Sequence, residues 1–208
     1  MTLKRLTKKG RKVILEFDDH DKQIISYEII LKYALSKEDV LSEEKLKEIV
    51  DDDIKFRAKQ SAYRILSSRA HSAKEIFDKL IQREYPEEVV TDILNELTRN
   101  DYIDDKKFAE KFVEEKSEKK KQSPLKLKFE LIKRGVSSTD IENALKNHYP
   151  EERLLLNARK HVSNKIAQLK DKKLTKLELR NKILMSLQYK GFQRDLIFRV
   201  MKENQIDE

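Results

Sequence analysis

Between residues 54 and 204 the apolar positions recur at spacings of three and four, with polar residues on the other face, so this stretch reads as helix throughout. The N-terminal stretch differs. Lys12-Val13-Ile14-Leu15-Glu16-Phe17 is rich in strand formers, Asp18-Asp19-His20-Asp21 is a polar turn, and Gln23-Ile24-Ile25-Ser26-Tyr27-Glu28 offers a second strand. Together they predict a β-hairpin. The pattern turns helical from Tyr27 to Ala34. Ser42-Glu43-Glu44 then opens a short helix carrying Leu46, Ile49 and Val50, and Asp51-Asp52-Asp53 reads as a charged junction.

Beyond the junction, residues 54–68 predict a helix with Ala58, Ala62, Ile65 and Leu66 on its stripe. Ser72-Ala73-Lys74-Glu75 has the spacing of a capping box and starts a second helix with Ile76, Phe77, Leu80 and Ile81. Pro86 suits the first position of a third, lined by Val89, Val90, Ile93, Leu94 and Leu97.

The same unit then recurs. Leu80, Leu131 and Leu187 superpose. Five residues on stand Tyr85, Val136 and Phe192; ten on stand Val90, Ile141 and Ile197. Ile93-Leu94, Ala144-Leu145 and Val200-Met201 complete the match. Gly135 and Gly191 share a position just past the middle helix, where a positive φ is wanted. Glu84 holds that place in the first copy, so its turn must close differently or carry strain. Ser123-Pro124, Thr175-Lys176-Leu177-Glu178 and Ser137 with Asp140 read as further helix starts.

The expected fold is therefore mainly α: a tandem array of three three-helix repeats, elongated and curved, with a small N-terminal β-hairpin and short helices. Stacked neighbours complete a core that no unit builds alone. The expected division is residues 1–53 (hairpin and short helices), then repeats at 54–104, 105–150 and 151–208. Glu114 to Gln122 is a charged run ending a helix, and Gln168 to Lys173 a polar linker.

Composition narrows the function. With 38% hydrophobic and 40% charged residues, the chain suits helices that each bury one stripe. Cysteine is absent, which excludes disulfides and thiolate metal sites. No apolar run is long enough to span a membrane, and the first residues lack the apolar core of a signal peptide, so a cytoplasmic protein is expected. Charge is uneven: residues 1–105 hold 20 Lys and Arg against 23 Asp and Glu, and residues 106–208 hold 26 against 15. A basic half suggests a polyanionic partner, most often nucleic acid; a solvated lysine-rich surface explains the charge equally well.

Catalytic patterns are missing. The glycines are scattered, so no phosphate loop or dinucleotide fingerprint exists. His20, His71, His148 and His161 lack ligand spacing and read as surface or turn residues. Asp104-Asp105 precedes Lys106-Lys107-Phe108-Ala109 and reads as a helix cap rather than a functional carboxylate pair. No cofactor or metal is expected. The basic constellation is more informative. In the second copy it gathers Lys119, Lys120, Lys121, Lys126, Lys128, Lys133 and Arg134, with Lys126 and Lys133 on one helix face. In the third it gathers Arg159, Lys160, Lys165, Lys170, Lys172, Lys173, Lys176, Arg180 and Lys182. The candidate nucleic-acid or filament-binding residues are Arg69, Lys79, Lys119, Lys120, Lys121, Lys126, Lys128, Lys133, Arg134, Arg159, Lys160, Lys172, Lys173, Lys176 and Arg180. Such cations neutralise phosphates and give salt-dependent binding.

The first unit also carries the string Ala62-Tyr63-Arg64-Ile65-Leu66-Ser67-Ser68-Arg69-Ala70-His71-Ser72-Ala73-Lys74-Glu75, followed by Lys79-Leu80 and Asp101-Tyr102-Ile103-Asp104-Asp105-Lys106-Lys107-Phe108-Ala109. With Leu131-Ile132-Lys133-Arg134-Gly135-Val136 and Lys190-Gly191-Phe192, this resembles the RecX family over about residues 54–204. The chain departs from the family pattern where Ala70-His71 precede the serine, and where Glu84 and Asp101 stand at positions that are often glycine.

The resemblance implies a regulator of the RecA recombinase. It would bind RecA, lie in the groove of the RecA–DNA filament, suppress ATPase and strand exchange, and limit filament growth. It would thereby modulate recombination, DNA repair and the SOS response. Many small contacts along a filament add through high effective concentration. RecA, its filament and DNA are the expected partners, the last bound electrostatically, and a monomer is the expected state. Two other classes stay open: a direct DNA-binding protein of transcription or nucleoid type, and a helical scaffold for other proteins.

Overall fold

A computed structural model describes residues 1–18, 20–119 and 121–206. Three strands come first, β1 (Leu3–Lys9), β2 (Lys12–Phe17) and β3 (Lys22–Ser26), antiparallel in the order β1-β2-β3. Ten helices follow: α1 (Tyr27–Lys32), α2 (Glu43–Leu66), α3 (Ala73–Ile81), α4 (Glu87–Arg99), α5 (Asp105–Glu118), α6 (Pro124–Lys133), α7 (Ser138–His148), α8 (Glu151–Leu169), α9 (Lys176–Tyr189) and α10 (Arg194–Glu203). The chain divides into two units, Met1–His71 with Ile76–Ile103, and Ser72–Glu75 with Asp104–Glu208.

The N-terminal sheet has a strand more than the expected hairpin. β1 escapes the alternation rule because its two leucines are three residues apart. Leu3 pairs with Phe17 and Leu6 with Leu15, which are two apart on β2, and a shift in register between Leu3 and Arg5 absorbs the extra residue. Lys4, Lys8 and Lys9 stay exposed on this edge strand, a pattern that discourages further pairing. Leu3, Val13, Leu15, Phe17 and Ile25 meet Ile29, Ile30, Leu41 and Ile49 in one core cluster.

The short helix and charged junction expected at residues 42–53 are instead the first half of one helix, α2. The acidic triplet does not break it because two of its carboxylates have work elsewhere in the unit. Asp53 is 1% exposed; one oxygen accepts the Ser26 N–H at 2.8 Å and the other lies 2.7 Å from Arg57 Nε. Asp52 takes Lys32 and the Tyr33 hydroxyl. Asp53 thus satisfies a backbone group at the start of α1, whose own N-cap Ser26 makes no side-chain cap bond.

The repeat alignment has a structural cause. After each middle helix the chain closes a Schellman turn. Tyr85, Val136 and Phe192 donate their N–H groups to Leu80, Leu131 and Leu187 at 3.3, 3.2 and 3.1 Å. Glu84, Gly135 and Gly191 donate to Ile81, Ile132 and Gln188. The apolar residue five places on is therefore the one that turns back over the anchor leucine. All three anchors are buried, as are Val90, Ile141 and Ile197.

Glu84 adopts φ +64° in the left-handed region, so its turn closes as in the other copies and carries the strain. Asp101, the other departure from family glycine, does the same at φ +58° after α4. Gly135 and Gly191 are constrained twice. A Cβ on Gly135 would stand 2.7 Å from Lys74 Cβ, and one on Gly191 would stand 2.6 Å from Ser123 Oγ. Each glycine lies against the first turn of a middle helix. Glu84 is exposed, so only the backbone angle disfavours a side chain there.

The helix starts explain these seats. Ser72 accepts the Glu75 N–H at 3.2 Å while Glu75 accepts the Ser72 N–H at 3.3 Å, completing the expected capping box. Ser72 is fully buried and donates its own proton to the Arg134 carbonyl at 2.7 Å. Ser123, also fully buried, accepts the Lys126 N–H. Thr175 differs: it is exposed, and its hydroxyl donates to Glu178 at 3.0 Å within a complete capping box. Ser137 caps α7 as expected, whereas Pro86 stands at the N-cap of α4 and not one place later.

Within the second unit, Phe108, Phe112, Leu127, Leu131, Val136, Ile141 and Tyr149 form one core cluster, and Val162, Ile183, Leu187, Phe192, Ile197, Val200 and Met201 another. A buried polar junction lies beside them. Asn157 donates to the Ser117 carbonyl at 2.8 Å and to the Tyr149 hydroxyl at 3.0 Å, and that hydroxyl donates to the Gln122 carbonyl at 2.6 Å.

Two substitutions separate the two constraints on the turns. Glu84→Gly removes left-handed strain and is expected to stabilise by about 0.5–1 kcal/mol after the entropy cost of glycine. Gly135→Ala adds strain and a clash with a side-chain stem and is expected to destabilise by about 1–3 kcal/mol. Urea melts of both variants check this; equal and opposite shifts at the two sites would deny the role of close approach.

Candidate nucleic-acid interface

The candidate cations fall into two groups once their partners are visible. Arg134 is an internal strut. Its guanidinium lies 3.4 Å from Glu75 and 3.9 Å from Glu130, donates to the Glu130 carbonyl at 2.8 Å, and stacks 4.7 Å from the Phe112 ring. Arg159 makes a two-pronged pair with Glu203 at 2.7 and 3.0 Å. Lys119 and Lys128 lie 3.8 and 3.6 Å from Glu115 and Glu142. Arg180 sits over Phe198. These charges are largely answered within the chain.

Arg69 and Lys79 belong to a local knot in the first unit. His71, expected at the surface, is 3% exposed there. Its Nε2 accepts from Lys79 Nζ at 2.9 Å, so Nδ1 carries the proton given to the Arg69 carbonyl, also at 2.9 Å. Both ring nitrogens are thereby satisfied, which is what lets an imidazole be buried. Arg69 donates to the Ala70 carbonyl. Lys133, Lys160, Lys172, Lys173 and Lys176 are exposed. Lys120 lies outside the described residues.

A convergence that no spacing announces lies where the end of α9 meets the start of α6. The close approach of Gly191 to Ser123 and to the Lys126 backbone carries Tyr189 and Lys190 with it. Lys126 Nζ stands 5.1 Å from the Tyr189 ring centroid. Burial and the Lys126 charge push Lys190 below the usual lysine range. Nearby, His161 donates from Nε2 to the Lys121 carbonyl at 2.8 Å and sets its ring edge-on to Phe192. Burial lowers its basicity, the bond to the Lys121 carbonyl opposes the shift, and the charges of Lys190 and Lys121 add to it. Lys121, Lys126, Lys190 and His161 thus share one electropositive neighbourhood. Among the described residues, none of these three lysines pairs with a carboxylate.

Beside it, Lys165 and Leu169 of α8, Lys172, and Lys182, Met185, Ser186 and Tyr189 of α9 line an open cleft of about 380 Å³ with no acidic group in its lining. Met185 and Tyr189 are strongly exposed. On α6 the face shared by Lys126 and Lys133 is not purely basic. Leu125, Phe129 and Ile132 are exposed at i, i+4 and i+7 beside it, with Lys128 on the other flank. Tyr189 and Lys190 are absent from the sequence-derived set. The available signal was an aromatic lying off the Ile183 and Leu187 stripe, just before the turn glycine.

Asp104 and Asp105 divide the roles of the expected cap. Asp104 accepts the Lys107 N–H at 2.9 Å and caps α5. Asp105 accepts the Ala73 N–H at 2.8 Å, satisfying the start of α3. Partial burial raises the Asp105 carboxyl above its ordinary range; the Ala73 bond opposes the shift, and the charges of Asp140, Asp104 and Glu75 add to it. Among the described residues no group of His, Asp or Glu is arranged to hold a metal, and no helix is long and apolar enough to cross a membrane.

These features define a protein of tandem three-helix units with a basic, cleft-bearing second unit. Two family profiles match it: RecX, first three-helix domain, over residues 58–97, and RecX, second three-helix domain, over residues 104–145. A regulatory protein RecX from Streptococcus sanguinis (strain SK36) is 33% identical over 192 residues, covering 92% of this chain and 72% of that one. One from Lactococcus lactis subsp. lactis (strain IL1403) is 30% identical over 191 residues, covering 91% and 70%. The chain belongs to the RecX family. A crystal structure of a regulatory protein RecX superposes with a TM-score of 0.69 over 97% of this chain and 98% of that one, at 20% identity, which speaks to fold alone. That of RecX from Lactobacillus salivarius gives 0.63 over 73% and 97%, at 26% identity.

Two outcomes are expected from this geometry. Arg134→Ala should cost about 1–2 kcal/mol through lost stacking and packing, and Lys133→Ala should stay within about 0.5 kcal/mol, as read by chemical denaturation. Because the Asp105 carboxyl is raised in the folded state, its ionisation costs stability as pH climbs through the carboxylate range. Asp105→Asn, which keeps the acceptor, should therefore raise Tm at neutral pH, with the gain shrinking as pH falls through that range. A gain that persists unchanged at acid pH would contradict the assignment.

Proposed function

We propose that this chain is a non-enzymatic regulator of the RecA recombinase, which binds RecA and the RecA–DNA filament in its groove. Bound there, it lowers ATPase activity, strand exchange and filament growth, and so modulates recombination, DNA repair and the SOS response. The observation that carries the reading is membership of a family whose relatives are named regulatory proteins. Lys121, Lys126 and Lys190 of the second unit, which pair with no carboxylate among the described residues, support it, since a filament on DNA presents a dense line of phosphates. The repeat organisation supports it as well: successive units offer successive contacts, and linked contacts reinforce one another. We take residues 105–150 and 151–208 as the gripping repeats and 1–53 and 54–104 as the remaining modules. A monomer acting in the cytoplasm fits this role.

A second reading, direct nucleic-acid binding without RecA, is favoured by the acid-free cleft beside Tyr189. The two separate cleanly. Substoichiometric protein is expected to lower the single-strand-dependent ATPase of RecA; no effect at equimolar protein would sink the regulator reading. Tight, sequence-preferring binding to bare duplex DNA at physiological salt would favour the second.

A further inference from the structure

We propose that Tyr189 is a stacking platform for an unpaired base, and that it and the lysines beside it form a subsite for single-stranded nucleic acid on the third repeat. The inference rests on the reading that this protein works on nucleic acid, and assigns a surface and a mode of contact to it.

Tyr189 ends α9 with 83% of its surface exposed. A large ring so placed gains nothing from the core, which takes Ile183 and Leu187 from the same helix. Lys126 approaches the ring at 5.1 Å, the arrangement of a cation held against a π face, and leaves most of the ring open to solvent. The seat of Gly191 on Ser123 fixes this pairing, because any drift of the α9 terminus away from α6 would undo both.

The cleft that Tyr189 borders supplies the complementary charge. Lys165, Lys172 and Lys182 line it, Met185 and Leu169 add apolar surface, and no carboxylate is in the lining. None of these lysines makes an ion pair among the described residues. Lys126 and Lys190 extend the same positive field past the ring, where burial and the neighbouring Lys126 charge already disfavour the charge on Lys190. A polyanion would relieve that repulsion. A ring bordering a lysine cleft matches a strand of phosphates with splayed bases, since every base has a π face while duplex bases are stacked away. A protein surface would be an alternative occupant, but a cleft whose three cations make no ion pair among the described residues is best filled by a dense run of negative charge.

Stacking and charge can be read apart by fluorescence anisotropy with the full chain and no RecA. The probes are labelled oligothymidine and an abasic strand of equal length. The protein is expected to prefer oligothymidine. Tyr189→Ala should weaken that binding about tenfold and abolish the preference, whereas Tyr189→Phe should keep both. Replacing Lys165, Lys172 and Lys182 by Gln should flatten the logarithmic salt dependence by about two while leaving the preference for bases. Circular dichroism melts confirm that the exposed substitutions fold. Equal affinity for both strands, unchanged binding by Tyr189→Ala, or no binding to oligothymidine overturns the proposal. If Tyr189→Ala weakens suppression of RecA ATPase and leaves oligothymidine binding intact, the surface meets protein and the proposal is equally overturned. Loss of any RecA effect with intact base-dependent binding would instead remove the regulator reading alone.

Discussion

The second unit is organised around a seat: a left-handed glycine resting against the first turn of a middle helix that a buried serine opens. Gly135 lies on the first turn of α3, where Ser72 binds the Arg134 carbonyl, and Gly191 lies on the first turn of α6 at Ser123. The seat explains why helix ends meet there at all. A carbonyl left over at a helix end needs a donor, and a capping hydroxyl has one proton to spare after accepting its own helix's N–H. It also explains the composition. Any side chain on either glycine would strike a neighbour at under 3 Å. The approach of α9 to α6 then fixes what projects from those helices, including Lys126, Tyr189 and Lys190.

The repeat was legible because its marker positions are geometric necessities. The apolar residue five places past each anchor leucine must fold back over it, so Tyr85, Val136 and Phe192 keep apolar character although everything around them varies. The left-handed position between them reads as glycine only where space also demands it, which is why Glu84 obscured one copy. The hidden elements had physical reasons of their own. The acidic triplet of α2 looked like a break because helix patterns do not reveal that a carboxylate in mid-helix can serve a distant N–H, as Asp53 serves Ser26. β1 was hidden by the register shift that sets Leu3 and Leu6 out of alternation.

The candidate site was legible as charge and not as geometry. Counting Lys and Arg locates the basic half, but a guanidinium braced by two carboxylates and a ring, as in Arg134, counts the same as an unpaired lysine. Pairing is a tertiary fact. Arg159 meets Glu203 and Lys128 meets Glu142 across helices that sequence spacing does not relate. Tyr189 was passed over for the opposite reason: an aromatic in a helix is usually core, and only its exposure makes it a candidate contact. The buried junction of Asn157, Tyr149 and Ser117 adds rigidity close by, since the Asn157 amide bridges the Ser117 carbonyl and the Tyr149 hydroxyl.

The hydroxyl of Thr175 stands where Ser72 and Ser123 stand in the earlier middle helices, yet its proton goes to Glu178, whereas that of Ser72 goes to the backbone of another turn. The same position thus carries a connector in Ser72 and a purely local cap in Thr175, and the difference is one hydrogen atom's direction. A further turn docking on α9 would first have to take that proton from a carboxylate. A hydrogen-bonded junction at such a helix start is therefore a matter of valence: a capping hydroxyl joins another turn only while its donor is unspent, and a neighbouring acid can spend it.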